Sequence, residues 1–123
     1  MKIQALGYDP EADELDLLID TDAPQAAEAV PLDAGVYIRR DPDSGRVVGA
    51  FIRGYANFLR AMLAEQEISA VEAVKAGLEK EFSAILEWQR KALRLSRDLV
   101  AHLGAQSGKD RHALVETLLT QAS

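Results

Sequence analysis

Apolar and polar residues alternate through the first half of the chain, then give way to apolar positions three and four residues apart. Leu15, Leu17 and Ile19 alternate ahead of an acidic loop, and Val36 and Ile38 share one face of a second run. In the next run Val48, Ala50 and Ile52 fall on one face and Val47 and Phe51 on the other. A two-residue period marks strands, and a strand apolar on both faces is central or covered from both sides. Two Asp-Pro segments punctuate this half, Tyr8-Asp9-Pro10-Glu11-Ala12-Asp13 and Arg40-Asp41-Pro42-Asp43-Ser44-Gly45-Arg46. In the second, Pro42 presets φ for a type I turn, Asp41 accepts from the backbone beyond it, and Gly45 suits the left-handed position that follows. The first is looser and has no glycine. Asp20 to Ala34 reads as a long connection, because Pro24 and Pro31 disfavour ladder positions.

Near residue 55 the period changes. Phe58, Leu59, Met62 and Leu63 recur at helical spacing, so a short helix is expected from Tyr55, with Gly54 marking the exit from the last strand. Ser69 followed by Glu72 has the form of a capping box and places a new helix start near residue 70. The next clear stop is Gly104, a C′ candidate. Gly77 is an interior weak point costing about 1 kcal/mol relative to alanine. A continuous helix from Ala70 to Leu103 would extend about 50 Å. Its apolar stripe comprises Val71, Val74, Leu78, Phe82, Ile85, Leu86, Ala92, Leu93, Leu99, Val100 and Leu103, with Trp88 and Leu95 on one flank. These positions fall within an arc of roughly 120°, the width of a buried face.

The predicted architecture is α+β. An antiparallel β-meander of about four strands fills residues 1–55, and a helical arm follows over 56–123, the two forming one compact unit. A stripe this long exceeds what so small a sheet can cover, so part of it is expected to meet another helix. The expected surface is Val71, Val74, Leu78, Phe82, Ile85, Trp88, Gln89, Ala92, Ser96, Leu99 and Leu103, and a homodimer is the simplest closed form. A helical arm broken near Gly77 or Gly104 and folded back within one chain is the competing arrangement. Gln89 and Ser96 lie seven apart near the middle of the stripe, where polar side chains either fix helix register or bond locally. Asp110 or Ser107 could cap a last helix with Leu114, Leu118 and Leu119 on its edge.

At 123 residues, 48% hydrophobic and 28% charged, the chain has the composition of a single globular domain. No run of about 18 apolar residues suggests a membrane span, and the start lacks the features of a secretory signal. The absence of cysteine excludes disulfides and thiolate metal sites and suits a reducing cytosol. A cytoplasmic bacterial protein is the expectation. Charge is uneven: residues 1–55 carry 11 acidic and 5 basic side chains, whereas residues 56–123 carry 9 of each. The acidic half disfavours nucleic acid as its partner, since like charge opposes counterion release.

Candidate chemistry is sparse. Asp41, Asp43 and Gly45 faintly echo a calcium loop, but Ile52 stands where the bidentate carboxylate belongs. His102 and His112 have no carboxylate at metal-ligand spacing, and there is no phosphate loop, nucleophile elbow or cysteine nucleophile. No catalytic residue, metal or cofactor is therefore expected. Arg90, Arg94 and Arg97, with Lys91 nearby, form the one basic cluster, opposite the stripe and interleaved with Glu87 and Asp98. It could dock a protein partner, or be no more than a solvated face.

Lys2-Ile3, the Tyr8–Asp13 segment, Gly35-Val36, Asp41 to Gly45 and Arg46-Val47-Val48-Gly49 together resemble the bacterial domain-of-unknown-function family numbered 2283. The resemblance covers about residues 1–55 and implies a small antiparallel sheet with no established catalytic residues. Some members sit beside toxin-like partners, which implies an antitoxin-like role. The chain departs from the family pattern at Phe51, at Glu14 and Asp16, and in its helical extension. The expected function is non-catalytic protein binding and self-association, with no membrane partner. The alternatives are an antitoxin-like inhibitor of a basic protein and a dimeric nucleic-acid-binding regulator using the arginine face.

Overall fold

Both Asp-Pro segments close hairpins in the computed structural model, which describes residues 1–32 and 35–95. The first joins β1 (Ile3–Asp9) to β2 (Glu14–Ile19), with the Asp9 carboxylate accepting from the N–H groups of Glu11 and Ala12 at 3.0 and 3.3 Å. The second joins β4 (Val36–Arg40) to β5 (Val47–Arg53); there the Asp41 carboxylate accepts from Asp43 and Ser44 N–H at 2.9 and 3.4 Å. That acceptance, the Asp43 N–H foremost, holds the exposed Asp41 carboxyl below its ordinary range. In the glycine-free first turn Asp13 takes the left-handed conformation, at φ 50°. Aspartate is among the few side chains that adopt it readily.

The sheet has five strands in the order β1-β2-β5-β4-β3, every adjacent pair antiparallel. β5 is central, as its apolar residues on both faces required. The expected count of about four strands is one short, because β3 (Glu28–Pro31) forms inside the segment expected to be a connection. It is an edge strand paired only to β4, and Pro31 ends it, so the missing N–H removes nothing the sheet needs. Face assignment in β5 also differs. Arg39 pairs with Gly49 and Arg40 with Val47, leaving Val48 as the extra residue of a bulge. Val47 therefore packs against the main core, while Val48 is buried outside it in a recess with Leu18, Asp16 and Arg39.

Helices cover one face of the sheet. α1 (Tyr55–Leu63) starts after Gly54, which has no side chain with which to cap it. The cap comes from Asp13 in the first hairpin: its carbonyl accepts from Tyr55 N–H at 3.1 Å, and its carboxylate accepts from Ala56 N–H at 3.3 Å. The same carboxylate accepts from the Tyr8 hydroxyl at 2.6 Å. An acidic cap at a helix N-terminus answers both the orphan N–H groups and the dipole.

The expected long helix is two helices. α2 (Val71–Lys75) and α3 (Glu79–Leu95) are separated at Gly77, whose φ is 73°. Leu78 N–H bonds the Ala73 carbonyl at 2.7 Å and Gly77 N–H bonds the Val74 carbonyl at 3.0 Å, the two closures of a Schellman motif. The Ser69–Glu72 capping box is not formed; α2 is preceded by Ala70 without a side-chain cap, and Ser69 Oγ accepts only from Val71 N–H at 3.4 Å. The break lets the stripe fold onto the sheet. Leu78, Phe82, Ile85, Leu86, Ala92 and Leu93 join Leu15, Leu17, Ile19, Val36, Ile38 and Ile52 in one core. Each such side chain contributes about 1.5–3 kcal/mol on burial, which outweighs the propensity gained by a straight helix.

Gly77→Ala separates the two arrangements by sign. Nothing lies within 4 Å of a Cβ added there, so the effect is conformational alone. In this fold the left-handed C′ position makes the substitution destabilising by about 1 kcal/mol, read as a lower denaturant midpoint at unchanged slope. In a continuous helix the same change would raise the midpoint.

Candidate functional site

α1 also ends in a Schellman motif, Gln66 N–H bonding the Ala61 carbonyl and Glu65 N–H the Met62 carbonyl, each at 3.0 Å. The left-handed residue is Glu65, at φ 54°, where glycine is the usual choice. This turn swings residues 64–68 alongside α3 and leaves an open groove of about 510 Å³ between them. Met62, Leu63, Ile68, Leu86 and Leu93 supply its apolar lining, Glu65 and Glu67 its acidic residues, and Arg90 and Arg94 its basic ones. Arg90 also pairs with Glu87 at 3.0 Å across one turn of α3, an exposed contact worth a few tenths of a kcal/mol at most.

Two of the three candidate docking arginines are thus brought together, although not where the helical pattern put them. Arg90 and Arg94 share the groove with Leu86 and Leu93, so they flank the apolar stripe rather than oppose it. Arg97 lies outside the described residues, as do Ser96, Leu99 and Leu103 of the expected interface. Of the rest, Leu78, Phe82, Ile85, Gln89 and Ala92 are buried in the chain's own core, and Trp88 packs half-buried against it. In this fold these six pack within the chain's own core rather than standing free as the sequence reading expected. Of the described residues of the set, Val71 and Val74 alone are exposed, at 55% and 54%. The last-helix caps Ser107 and Asp110, and both histidines, also fall outside the described residues.

Gln89 is fully buried, and its Oε1 accepts from the Tyr55 hydroxyl at 2.8 Å. Its Nε2 has no partner among the described residues. Of the two expected roles for Gln89, a bond between helices rather than a local one is seen, and it lies within one chain. The partner is the first residue of α1. Burial pushes the Tyr55 hydroxyl far above the ordinary phenol range; the Gln89 hydrogen bond opposes that rise and the neighbouring Tyr8 and Asp13 add to it.

The opposite face of the sheet carries a second cluster that sequence periodicity missed. Tyr37 and Phe51, direct cross-strand partners, stack with ring centroids 4.7 Å apart and planes 4° from parallel. Arg39 lies over Phe51 at 4.4 Å and pairs with Asp16 at 2.8 Å; Arg53 lies over Tyr37 at 5.1 Å and approaches Glu14 at 3.4 Å. Gly49 makes room for this, since a Cβ there would sit 2.8 Å from the Leu17 carbonyl oxygen and 3.5 Å from the Arg39 stem. The signal was present in the sequence as Tyr37-x-Arg39 and Phe51-x-Arg53, two aromatic–arginine pairs at strand spacing. The guanidinium groups and their stems plate the aromatic rings and leave Phe51 only 5% exposed, with no second layer over this face among the described residues.

Among the described residues no group of three or more His, Cys, Asp or Glu is placed to hold a metal ion. No helix among them is long and apolar enough to cross a membrane. Comparison with family models, curated proteins and solved structures finds no match to this chain. These comparisons neither support nor oppose the expected resemblance of residues 1–55 to family 2283.

Tyr55 makes stability sensitive to alkali. A phenol whose folded pKa is raised gives stability that is complete below the unfolded value of 10.0 and is lost as pH climbs above it. Melting temperature is therefore expected to fall as pH rises from about 10 to about 11, and to fall less steeply in Tyr55→Phe, whatever that variant loses at neutral pH. Parallel slopes in the two proteins would show that Tyr55 does not titrate with unfolding.

Proposed function

We propose that the chain is a non-catalytic, protein-binding protein of the cytoplasm, and that the groove between α1 and α3 receives an amphipathic helix. The carrying observation is the make-up of that groove: five aliphatic residues with carboxylates and guanidinium groups around them. Aliphatic side chains interspersed with charges are a composition protein interfaces use, and a partly apolar trough beside a helix suits an i, i+3, i+4 edge. A volume of about 510 Å³ is ample for several aliphatic side chains. Glu65 supports the reading, because a carboxylate held in a glycine-favouring conformation is a cost that binding would explain. The two alternatives draw less support. Glu65 and Glu67 beside the arginines oppose a phosphate backbone. The acidic sheet face that an inhibitor of a basic protein would use is largely neutralised, with Glu14 and Asp16 against Arg53 and Arg39.

A display library of amphipathic helical peptides, selected on the purified full chain at low concentration, tests the proposal. Selected binders are expected to share an aliphatic i, i+3, i+4 edge and to lose about tenfold or more in affinity against Met62→Arg. Glu65→Gly is expected to raise the melting temperature while weakening the same binders. Binders indifferent to Met62 and Glu65, or no binders at all, would contradict the groove as the site.

A further inference from the structure

The groove and the exposed valines of α2 belong to one stretch of chain. Ile68 lines the groove, and Val71 follows it by three residues in the sequence. Val71 and Val74, at i and i+3, form a short aliphatic edge exposed at 55% and 54%, while Ala73 on the same helix is buried in the core. Glu72 and Lys75 stand together on one side of that edge, three residues apart, and pair with each other at 3.3 Å in full view of solvent. Such a pair is weak and easily exchanged for another.

We propose that α2 of a second copy of this chain occupies the groove, and that the exchange is reciprocal. This rests on the protein-binding reading above and names its partner. Among the described residues, one chain carries both an aliphatic edge without a cover and an apolar groove without an occupant, which is the requirement for an isologous two-fold contact: each α2 enters the other chain's groove, and every contact is made twice. The charges agree. The incoming edge has an acid, Glu72, and a base, Lys75; the groove has bases, Arg90 and Arg94, and acids, Glu65 and Glu67. Glu72 would exchange Lys75 for the arginines, and Lys75 would turn to the glutamates, so the intrachain pair becomes two pairs across the interface. A foreign helix would need to bring the same edge and the same two charges; the second copy already has them.

Sedimentation of the full chain from about 5 to about 500 µM, a range spanning weak to moderate self-affinity, should show a monomer–dimer equilibrium. Val74→Asp, at an exposed position, should weaken it by about tenfold or more with little change in melting temperature. Met62→Arg, in the groove, should do the same, and Glu65→Lys offers a rim variant should Met62→Arg prove poorly folded. The decisive arm mixes Val74→Asp with Met62→Arg. A heterodimer then keeps one native contact and sets the introduced carboxylate against the introduced guanidinium in the other, so mixing should restore dimer that neither variant forms alone. A wild type monomeric throughout, a dimer indifferent to Val74→Asp, or no recovery on mixing would each overturn the inference. Whether the selected peptides still bind a monomeric wild type in its groove decides the broader reading separately.

Discussion

Asp13 joins the two halves of this molecule. It sits in the turn of the first hairpin, yet its backbone carbonyl and its carboxylate together take the first two N–H groups of α1, and its carboxylate also receives the Tyr8 hydroxyl. Gly54 can offer α1 no cap of its own, so without Asp13 the helix would begin with its N–H groups unanswered beside an apolar core. The cap fixes where Tyr55 stands, and the Tyr55 hydroxyl, fully enclosed, meets Gln89 on α3. A polar path thus runs from a sheet turn through one helix to another. Apolar burial is far larger in energy but indifferent to small slides; hydrogen bonds with fixed partners set the register at which that burial occurs.

Once the register is set, the fate of the apolar stripe follows. α3 lies across the sheet with Leu78, Phe82 and Ile85 inward, and the Schellman closure at Gly77 turns α2 so that its valines stay outside. The apolar surface left on the helical side among the described residues includes the Val71–Val74 edge and the groove. The other sheet face needs no cover, because Arg39 and Arg53 lie over Phe51 and Tyr37 while Asp16 and Glu14 hold the guanidinium groups in place. Among the described residues the sheet has one helical layer and one plated face.

Local chemistry was legible in the sequence wherever a short motif decides its own conformation. The Asp41–Gly45 turn, the start of α1 at Tyr55 and the central place of β5 could all be argued from a handful of adjacent residues. What could not be read depended on distant partners. Gly77 is tolerable inside a helix and ideal after one, and only the sheet waiting for Leu78 and Phe82 decides between them. The Ser69–Glu72 pattern promised a cap that tertiary packing does not use. Pro31 argued against a strand, and a ladder on one side only is what admits it. The bulge at Val48 shifts one residue and so reverses a face that simple alternation assigns. The groove brings residues 62–68 together with residues 86–94, and no spacing rule joins those two stretches.

The hydrogen bond between Tyr55 and Gln89 is the contact on which the placement of α3 rests, and a double-mutant cycle measures it directly. Tyr55→Phe leaves Gln89 buried with no partner at either end, and Gln89→Leu leaves the Tyr55 hydroxyl buried and unmet, so each single change carries a desolvation cost of about 1–3 kcal/mol. Removing both groups cancels that cost. Equilibrium unfolding of the four proteins should therefore give a double variant at least about 1 kcal/mol more stable than the sum of the single effects. Strict additivity would mean that the two side chains do not meet, and that α3 is not held where the account places it.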